Sequence, residues 1–363
     1  MLLIRQASSG DLDAMADLAG YLDSINLPAD RDELRAIIAG SEESFAGRRE
    51  VAERRFVFVL VDTASGQIHG TSMIFARHGS MRAPHVFFDV LEDERYSETL
   101  DRHFKHLVLR IGYNYTGKTE IGGLVVRPES RGHPEQLGKL LSHVRFLYIA
   151  LHRAIFCEEV LSELMPPLEA DGTSVLWEAL GRKFTGLSYQ EADRLSRSNK
   201  EFIRTLFPEV PIYASLLPPN VQAVIGQVGP KTRGVEKMLR RIGFDYAHRI
   251  DPFDGGPHFH ARIDDVALVR RTVRARVAED DGAARAVRGP GPGSPLARTT
   301  RHLVSPATTA GPGGFRALAV VGAGVEGGAI ALSDEARREL QLDVGSEVGV
   351  LPLDGPDAPA AVG

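Results

Sequence analysis

The chain predicts an α+β fold, a mixed sheet flanked by helices, on three observations. A strand at the N-terminus is followed by two amphipathic helices. A β-branched apolar segment then returns on itself as a hairpin. Further on, Leu124-Val125-Val126 runs through Arg127-Pro128 into a turn with Arg131 and Gly132, and from there into the helical segment Leu137-Gly138-Lys139-Leu140-Leu141. Strands alternating with helices of 3.6-residue period exclude an all-β or all-α chain.

Each element has a local cause. Leu2–Ala7 is a short strand, broken by Ser8-Ser9-Gly10-Asp11, whose side chains suit helix N-caps. The helix that follows runs to about Tyr21, with Leu12, Met15, Leu18, Ala19 and Leu22 on one face. A second helix spans Arg31–Ala46 after the turn Asn26-Leu27-Pro28. Phe56–Asp62 and Ile68–Phe75 form the hairpin around Ala64-Ser65-Gly66-Gln67. A helical run covers Phe146–Leu164 and holds Cys157 as a small buried hydrophobe. Tyr189–Phe207 is a polar helical insertion (about 185–210) carrying Ala192, Leu195, Phe202, Ile203 and Leu206 as its apolar face. The helix Val235–Ile242 ends in Gly243-Phe244, with Gly as C′ and the aromatic turned onto the sheet.

These elements make one domain over 1–282. From 283 to 314 the composition shifts to Gly, Pro, Ala, Ser and Thr, which predicts a flexible linker or loop. A small β-rich C-terminal subdomain over 315–355 follows, built from Arg316–Val321, the helix Ser333–Leu340 and Glu347–Leu351.

Composition narrows the function. With 363 residues, 43% hydrophobic and 25% charged, the chain is an ordinary globular sequence able to bury a large core. A net charge of −5 argues against nucleic-acid binding, and the C-terminal subdomain has no basic patch that would let it bind DNA. One cysteine excludes internal disulfides and cysteine metal clusters and fits a reducing compartment. No apolar run approaches the ~18 residues of a membrane span, and the N-terminus lacks a signal-peptide pattern, so a cytoplasmic protein is expected with no membrane partner.

The strand–turn–helix at 124–141 is an anion cradle: the first amides of a helix, its positive dipole end and the Arg131 guanidinium converge. Plain turn chemistry would also use Arg and Gly here. The layout is similar to the one with which acyl-CoA N-acyltransferase (GNAT-like) folds hold the pyrophosphate of coenzyme A.

Further runs carry a more specific likeness: Trp177-Glu178-Ala179-Leu180-Gly181-Arg182-Lys183-Phe184, Pro211-Ile212-Tyr213, Ala223-Val224-Ile225-Gly226-Gln227-Val228, Glu236-Lys237-Met238-Leu239 with Gly243-Phe244-Asp245-Tyr246, and Asp254-Gly255-Gly256-Pro257. Together they resemble the arginine N-succinyltransferase family over about residues 1–270. The resemblance implies succinyl transfer from succinyl-CoA to the α-amine of arginine, or of ornithine, with no metal, in a homo- or hetero-oligomer. It implies Leu124, Val125 and Val126 at the thioester and pantetheine, with Arg131, Gly132, Gly138 and Lys139 around the pyrophosphate. Two extra residues, around His133-Pro134-Glu135-Gln136, loosen that last assignment.

The departures matter as much. Directly after the Gly-Gln-Val run the family has a histidine taken as proton donor; here Gly229 stands there. A thiolate with a conjugate acid near ~8.5 leaves without obligatory protonation, so the change slows the reaction, or it marks a silent member that binds CoA or serves as a partner subunit. Remaining candidates for proton transfer are His258 and Glu163, each with a plainer alternative as a solvated strand residue or a helix-surface carboxylate. His258 and His260 share a strand face, a start for a metal site with no third ligand visible in the sequence. Tyr213, Tyr246 and Trp177 read as core, and His143 and His152 have no metal spacing.

Overall fold

A computed structural model describes residues 1–21, 27–81, 83–196, 199–279, 300–308, 314–322 and 325–354. The chain divides into two compact units: 1–76, 121–156 and 263–363 form the first, and 77–120 with 157–262 the second.

Along the chain, β1 (Leu2–Gln6) precedes α1 (Leu12–Ala19) and α2 (Arg31–Phe45). Asp30 caps α2 by accepting from the amides of Asp32 and Glu33. Leu22, placed by its spacing on the α1 face, lies outside the described residues. The hairpin is β2 (Arg55–Asp62) with β3 (Ile68–His78), paired antiparallel. Next come β4 (His85–Ser97) and β5 (Arg102–Asn114), then β6 (Lys118–Val126) and α3 (Leu137–Leu151). The chain passes between units within β3 and within β6.

The helical run expected over Phe146–Leu164 is not one helix. α3 ends at Leu151, a 3-10 turn occupies Arg153–Ile155, and Glu159–Glu163 is strand β7. Pairing decides this: Val160 and Leu161 lie opposite His260 and its neighbour Ala261 on one side and Thr119 and Glu120 on the other, so tertiary ladders override helical spacing. Cys157, just before β7, is half-buried rather than core, its amide donating to Thr119 Oγ1 at 3.0 Å.

The insertion is broken into α4 (Arg182–Thr185), α5 (Tyr189–Ser196) and α6 (Glu201–Leu206). Ala192 and Ile203 are buried as expected, but Leu195 and Leu206 are exposed because the two short helices do not share one face. β8 (Ile212–Tyr213), α7 (Pro219–Gln222), α8 (Arg233–Arg241), β9 (Asp245–Ile250) and β10 (Pro257–Arg262) complete the second unit. Gly243 closes α8 at φ +103° and Phe244 is buried. The sheet of this unit runs β6-β7-β10-β9-β4-β5-β8, parallel only at β6-β7.

The first unit ends with α9 (Ala267–Arg271), β11 (Val273–Glu279), β12 (Thr300–Pro306), β13 (Arg316–Gly322), β14 (Ala329–Leu332), α10 (Asp334–Leu340) and β15 (Glu347–Pro352). Its strand order is β14-β11-β15-β12-β13-β1-β2-β3-β6. Two sequence expectations change here. The stretch 283–314 is not all linker: β12 lies inside it, with Leu303 and Val304 fully buried between β13 and β15, a short strand diluted by the Gly/Pro composition around it. Residues 283–299 and 309–313 lie outside the described residues. Nor do the blocks 1–282 and 315–355 match the compact units, since β11 pairs with β14 and β15 while β13 pairs with β1.

Candidate functional site

In the first unit the cradle is built on β6 and α3. Val125 is buried while Leu124 and Val126 keep partial exposure, as alternation along a strand requires. A 3-10 turn over Pro128–Ser130 follows, then Arg131 in extended geometry, Gly132 at φ +78° and Gln136, the residue before α3, at φ +53°. Several bonds fix this turn to β3: the Arg127 amide donates to His69 O, its guanidinium to Ile68 O, and His69 Nδ1 lies 2.8 Å from Ser130 Oγ. Gly70 on β3 is a site of close approach, since a Cβ there would sit 2.3 Å from Val125 O. Leu137 and Gly138 open α3, so their amides have no partner within the helix.

The charged members differ in their availability. Arg131 is exposed, its Nε 3.4 Å from Val126 O. Lys139 donates from Nζ to Leu353 O at 3.1 Å, a tether to the end of β15 that occupies one of its donors.

In the second unit, β3, β4, β6, β7 and β10 bring five ionisable side chains together, of which the sequence singled out two. Glu163 stands on β7, not on a helix surface, directly opposite His258 of β10. Glu163 Oε1 is 3.0 Å from His85 Nε2 and 3.6 Å from His258 Nε2, and the two imidazoles stack with centroids 5.2 Å apart. His78 Nδ1 lies 2.8 Å from Glu120 Oε2, and its ring meets His85 edge-on at 4.7 Å. His258 is completely buried and neither of its ring nitrogens has a hydrogen-bond partner.

The turn Asp251–Gly256 adds two carboxyls. Asp251 Oδ1 accepts from the amides of Phe253 and Asp254, and Asp254 Oδ1 from that of Gly256, which is how a sharp Asp-Gly-Gly turn is held. Two trios, His78–His85–Glu163 and Glu163–Asp251–His258, each have donor atoms within 4.8 Å of one another, so His258 has the neighbouring ligands that the sequence did not reveal. His260 is half-buried and answers to Lys118 and Glu159 instead.

Electrostatics follow from burial and crowding. Burial drives His258 down to about 3 despite Glu163, so its imidazole is neutral. Burial and the charge of His78 hold His85 well below its ordinary value. For His78 burial is outweighed by Glu120, and its value rises. Burial opposes charge on Glu163, but the neighbouring charges of His78 and Lys200 outweigh it and its value is lowered. Burial, then the charge of Glu163, pushes Asp251 up to about 7, and burial with Asp251 lifts Asp254 well above the usual carboxyl range.

Gly229 is buried in the loop before α8, its amide donating to Met165 O at 2.8 Å. Its φ is not left-handed, yet a Cβ would fall 2.4 Å from Pro166 O and 2.9 Å from Met165 O. Close approach of two backbones, rather than strained φ, makes this position glycine.

The remaining candidates are structural. Trp177 is fully buried, stacked on Phe253 at 5.0 Å and donating to Leu187 O. Tyr213 donates to Asp93 at 2.5 Å, and Tyr246 is half-buried. His143 is packed inside α3, and His152 sits against Tyr148 at that helix's end. Sequence reasoning missed His78, His85, Glu120 and Asp251. Asp251 lay three residues before Asp254, a spacing that could have drawn attention; the others are joined only by strand pairing.

Comparison with known proteins gives concordant results. The sequence model of the family described as "Arginine N-succinyltransferase beta subunit" matches residues 2–268. Arginine N-succinyltransferase of an Enterobacter strain is 33% identical over 286 residues, covering 78% of this chain and 82% of that protein. Its counterpart in Salmonella paratyphi B is 34% identical over the same span. The solved structure of arginine/ornithine succinyltransferase subunit AI from Pseudomonas aeruginosa is similar with a TM-score of 0.80 and 29% identity, covering 98% of this chain and 99% of that one.

Proposed function

The chain belongs to the arginine N-succinyltransferase family, and from that premise we propose that it transfers the succinyl group of succinyl-CoA to the α-amine of arginine or ornithine. The observation that carries this reading is the half-buried cluster of carboxyls in the second unit. Glu163, held ionised, with Asp251 and Asp254 beside it, offers carboxyl partners to a cationic amino acid, and a neutral leucine would gain nothing from them.

On this reading Leu124, Val125 and Val126 present strand backbone to the acyl-pantetheine. Arg131, Gly132 and the first amides of α3 at Gly138 take the pyrophosphate, with Lys139 contributing charge beside its tether. The free amides at the start of α3 support the assignment. Attack of an amine on a thioester requires removal of ammonium protons and release of a thiolate. Gly229 has no side chain, so the groups proposed to face the amine are those around Glu163 and His258 in the second unit.

Gly229 favours a second reading, a family member that binds CoA and serves as partner to an active subunit in a mixed oligomer. A cytoplasmic setting suits both readings; no helix among the described residues is long and apolar enough to cross a membrane. Thiol release from succinyl-CoA, measured with arginine, ornithine, lysine and leucine, separates them. Release with arginine or ornithine well above leucine is expected. No release with any amine, combined with tight CoA binding, would establish the partner role instead.

A further inference from the structure

Within the second unit, Glu163, Asp251 and His258 bring three acceptor groups from three separate segments to within 4.8 Å of one another. Two features mark this trio as a place for a polar ligand. His258 is fully buried, yet neither ring nitrogen has a hydrogen bond, a state that costs free energy unless something polar arrives. Glu163 and Asp251 by contrast keep some solvent contact, 24% for the Glu163 side chain, so two of the three members are open to an arriving ligand and His258 lies directly behind them. One oxygen of Asp251 is committed to the amides of Phe253 and Asp254, which fixes the carboxyl and leaves its second oxygen for a ligand.

Charge specifies the occupant. Glu163, Asp251 and Asp254 crowd together, and the charge of Lys200 offsets them only in part. A cation relieves that repulsion. Three acceptors on three side chains suit the tetrahedrally arranged N–H donors of an ammonium, whereas the planar guanidinium fork prefers both oxygens of one carboxylate.

We propose that Glu163, Asp251 and His258 seat the α-ammonium of the acceptor amino acid and that Asp251 is the base that takes its proton. This rests on the acyl-transfer reading above and adds the residues that receive the amine. One N–H proton passes to the free oxygen of Asp251, forming an O–H bond. The freed lone pair forms a C–N bond to the thioester carbonyl carbon as the C=O π pair moves onto the oxygen, to return when the adduct collapses. As the adduct collapses the C–S bond breaks, sulfur leaves with the electron pair, and the nitrogen loses a second proton. Of the two protons, one ends on the CoA sulfur and the other goes to solvent. Glu163, held ionised, attracts the ammonium, and neutral His258 accepts from its remaining N–H. Proton acceptance then needs nothing from position 229.

The test uses the full chain and calorimetry with two probes, arginine and Nα-acetylarginine, which keeps the guanidinium but has no α-ammonium. Arginine is expected to bind wild type at least about tenfold more tightly than Nα-acetylarginine. Asp251→Asn, which retains the oxygen that holds the turn, should weaken arginine about tenfold or more, leave Nα-acetylarginine unchanged, and lower kcat by about 10²–10⁴-fold, the usual worth of a general base. A melting temperature no lower than that of wild type confirms the fold. Asp251→Asn with wild-type arginine binding and turnover overturns the proposal while leaving the acyltransferase reading intact. Equal loss of both probes overturns it in favour of a guanidinium seat. Stoichiometric Zn²⁺ binding that is lost in Asp251→Asn, with arginine binding unaffected, overturns it in favour of a metal site. Arginine binding that depends on Asp251 in a chain that acylates no amine supports the seat and sinks the enzymatic reading.

Discussion

The cradle of the first unit and the carboxyl–imidazole group of the second are built on opposite plans. The cradle is made of backbone: eighteen consecutive positions, 124–141, supply a strand, a turn and the first amides of α3, with Arg131 and Lys139 as the cations assigned to the anion and Arg127 tied to Ile68 O. The other group is made of side chains from β3, β4, β6, β7, β10 and one tight turn, separated by up to 180 positions between His78 and His258. Backbone amides cannot be mutated away one by one, so a cradle of this kind tolerates side-chain change. A side-chain cluster has no such redundancy. Its energetics depend on each member, because every charge is shielded by protein and answered by a specific neighbour.

The largest effect that would sharpen this contrast is expected from Glu163→Gln. It removes the charge that attracts the amine and helps to balance His78, and should lower kcat/KM for arginine by about 10–100-fold while leaving CoA affinity as it was. A parallel loss of CoA affinity in titration calorimetry would break the contrast. Gly229→His comes next. The sequence alone suggests that restoring this side chain raises the rate if a Cβ is tolerated. The contact with Pro166 O means that it is not, and destabilisation of roughly 1–3 kcal/mol is expected from overpacking, seen as a lower midpoint in urea, with no gain in rate. A stable, faster Gly229→His protein would refute the close approach. Arg131→Ala should be milder, weakening CoA by about 1–2 kcal/mol because its exposed guanidinium is the cradle's replaceable part. Unchanged CoA binding would remove Arg131 from the cradle.

The smallest effect is a pH dependence. Asp251 has a folded value of about 7 against an ordinary value of 3.8, so between those limits the folded chain binds more protons than the unfolded one. Its contribution to stability therefore falls as pH rises through that window. Asp251→Asn should raise the melting temperature relative to wild type at pH 8 and have little effect at pH 4, with Glu163, Asp254, His258 and Lys200 still facing the site. A difference that is flat with pH would show that Asp251 titrates normally.

The same contrast explains what was legible in the sequence. The hairpin at 56–75, the helices after β1, the Gly243-Phe244 stop and the strand–turn–helix at 124–141 are local patterns, and each element formed where its residues specify it. β7 was read as helix because Val160 and Leu161 suit either state, and only pairing with β6 and β10 selects one. β12 was lost in the Gly/Pro composition around it. The long hairpin β4–β5 has a run of charged residues, Glu92 to Arg95, all but half-buried Asp93 exposed, and offers little apolar alternation there, so nothing local points to it or to His85 at its start. The grouping of His78, His85, Glu120 and Glu163 exists only in register, and register is a property of the sheet.

The position of β1 carries a consequence for how the chain is made. Leu3 and Ile4 pair on one side with Val61 and Leu60 and on the other with Leu318 and Ala317. During synthesis the first partner emerges early, but the second emerges only after more than two hundred further residues have left the ribosome. Throughout that interval β1 presents a row of unpaired amides and carbonyls, an edge open to any strand that reaches it first. A chain released before β13 would keep that edge, and truncation near residue 310 should therefore yield a protein prone to self-association rather than a smaller stable enzyme.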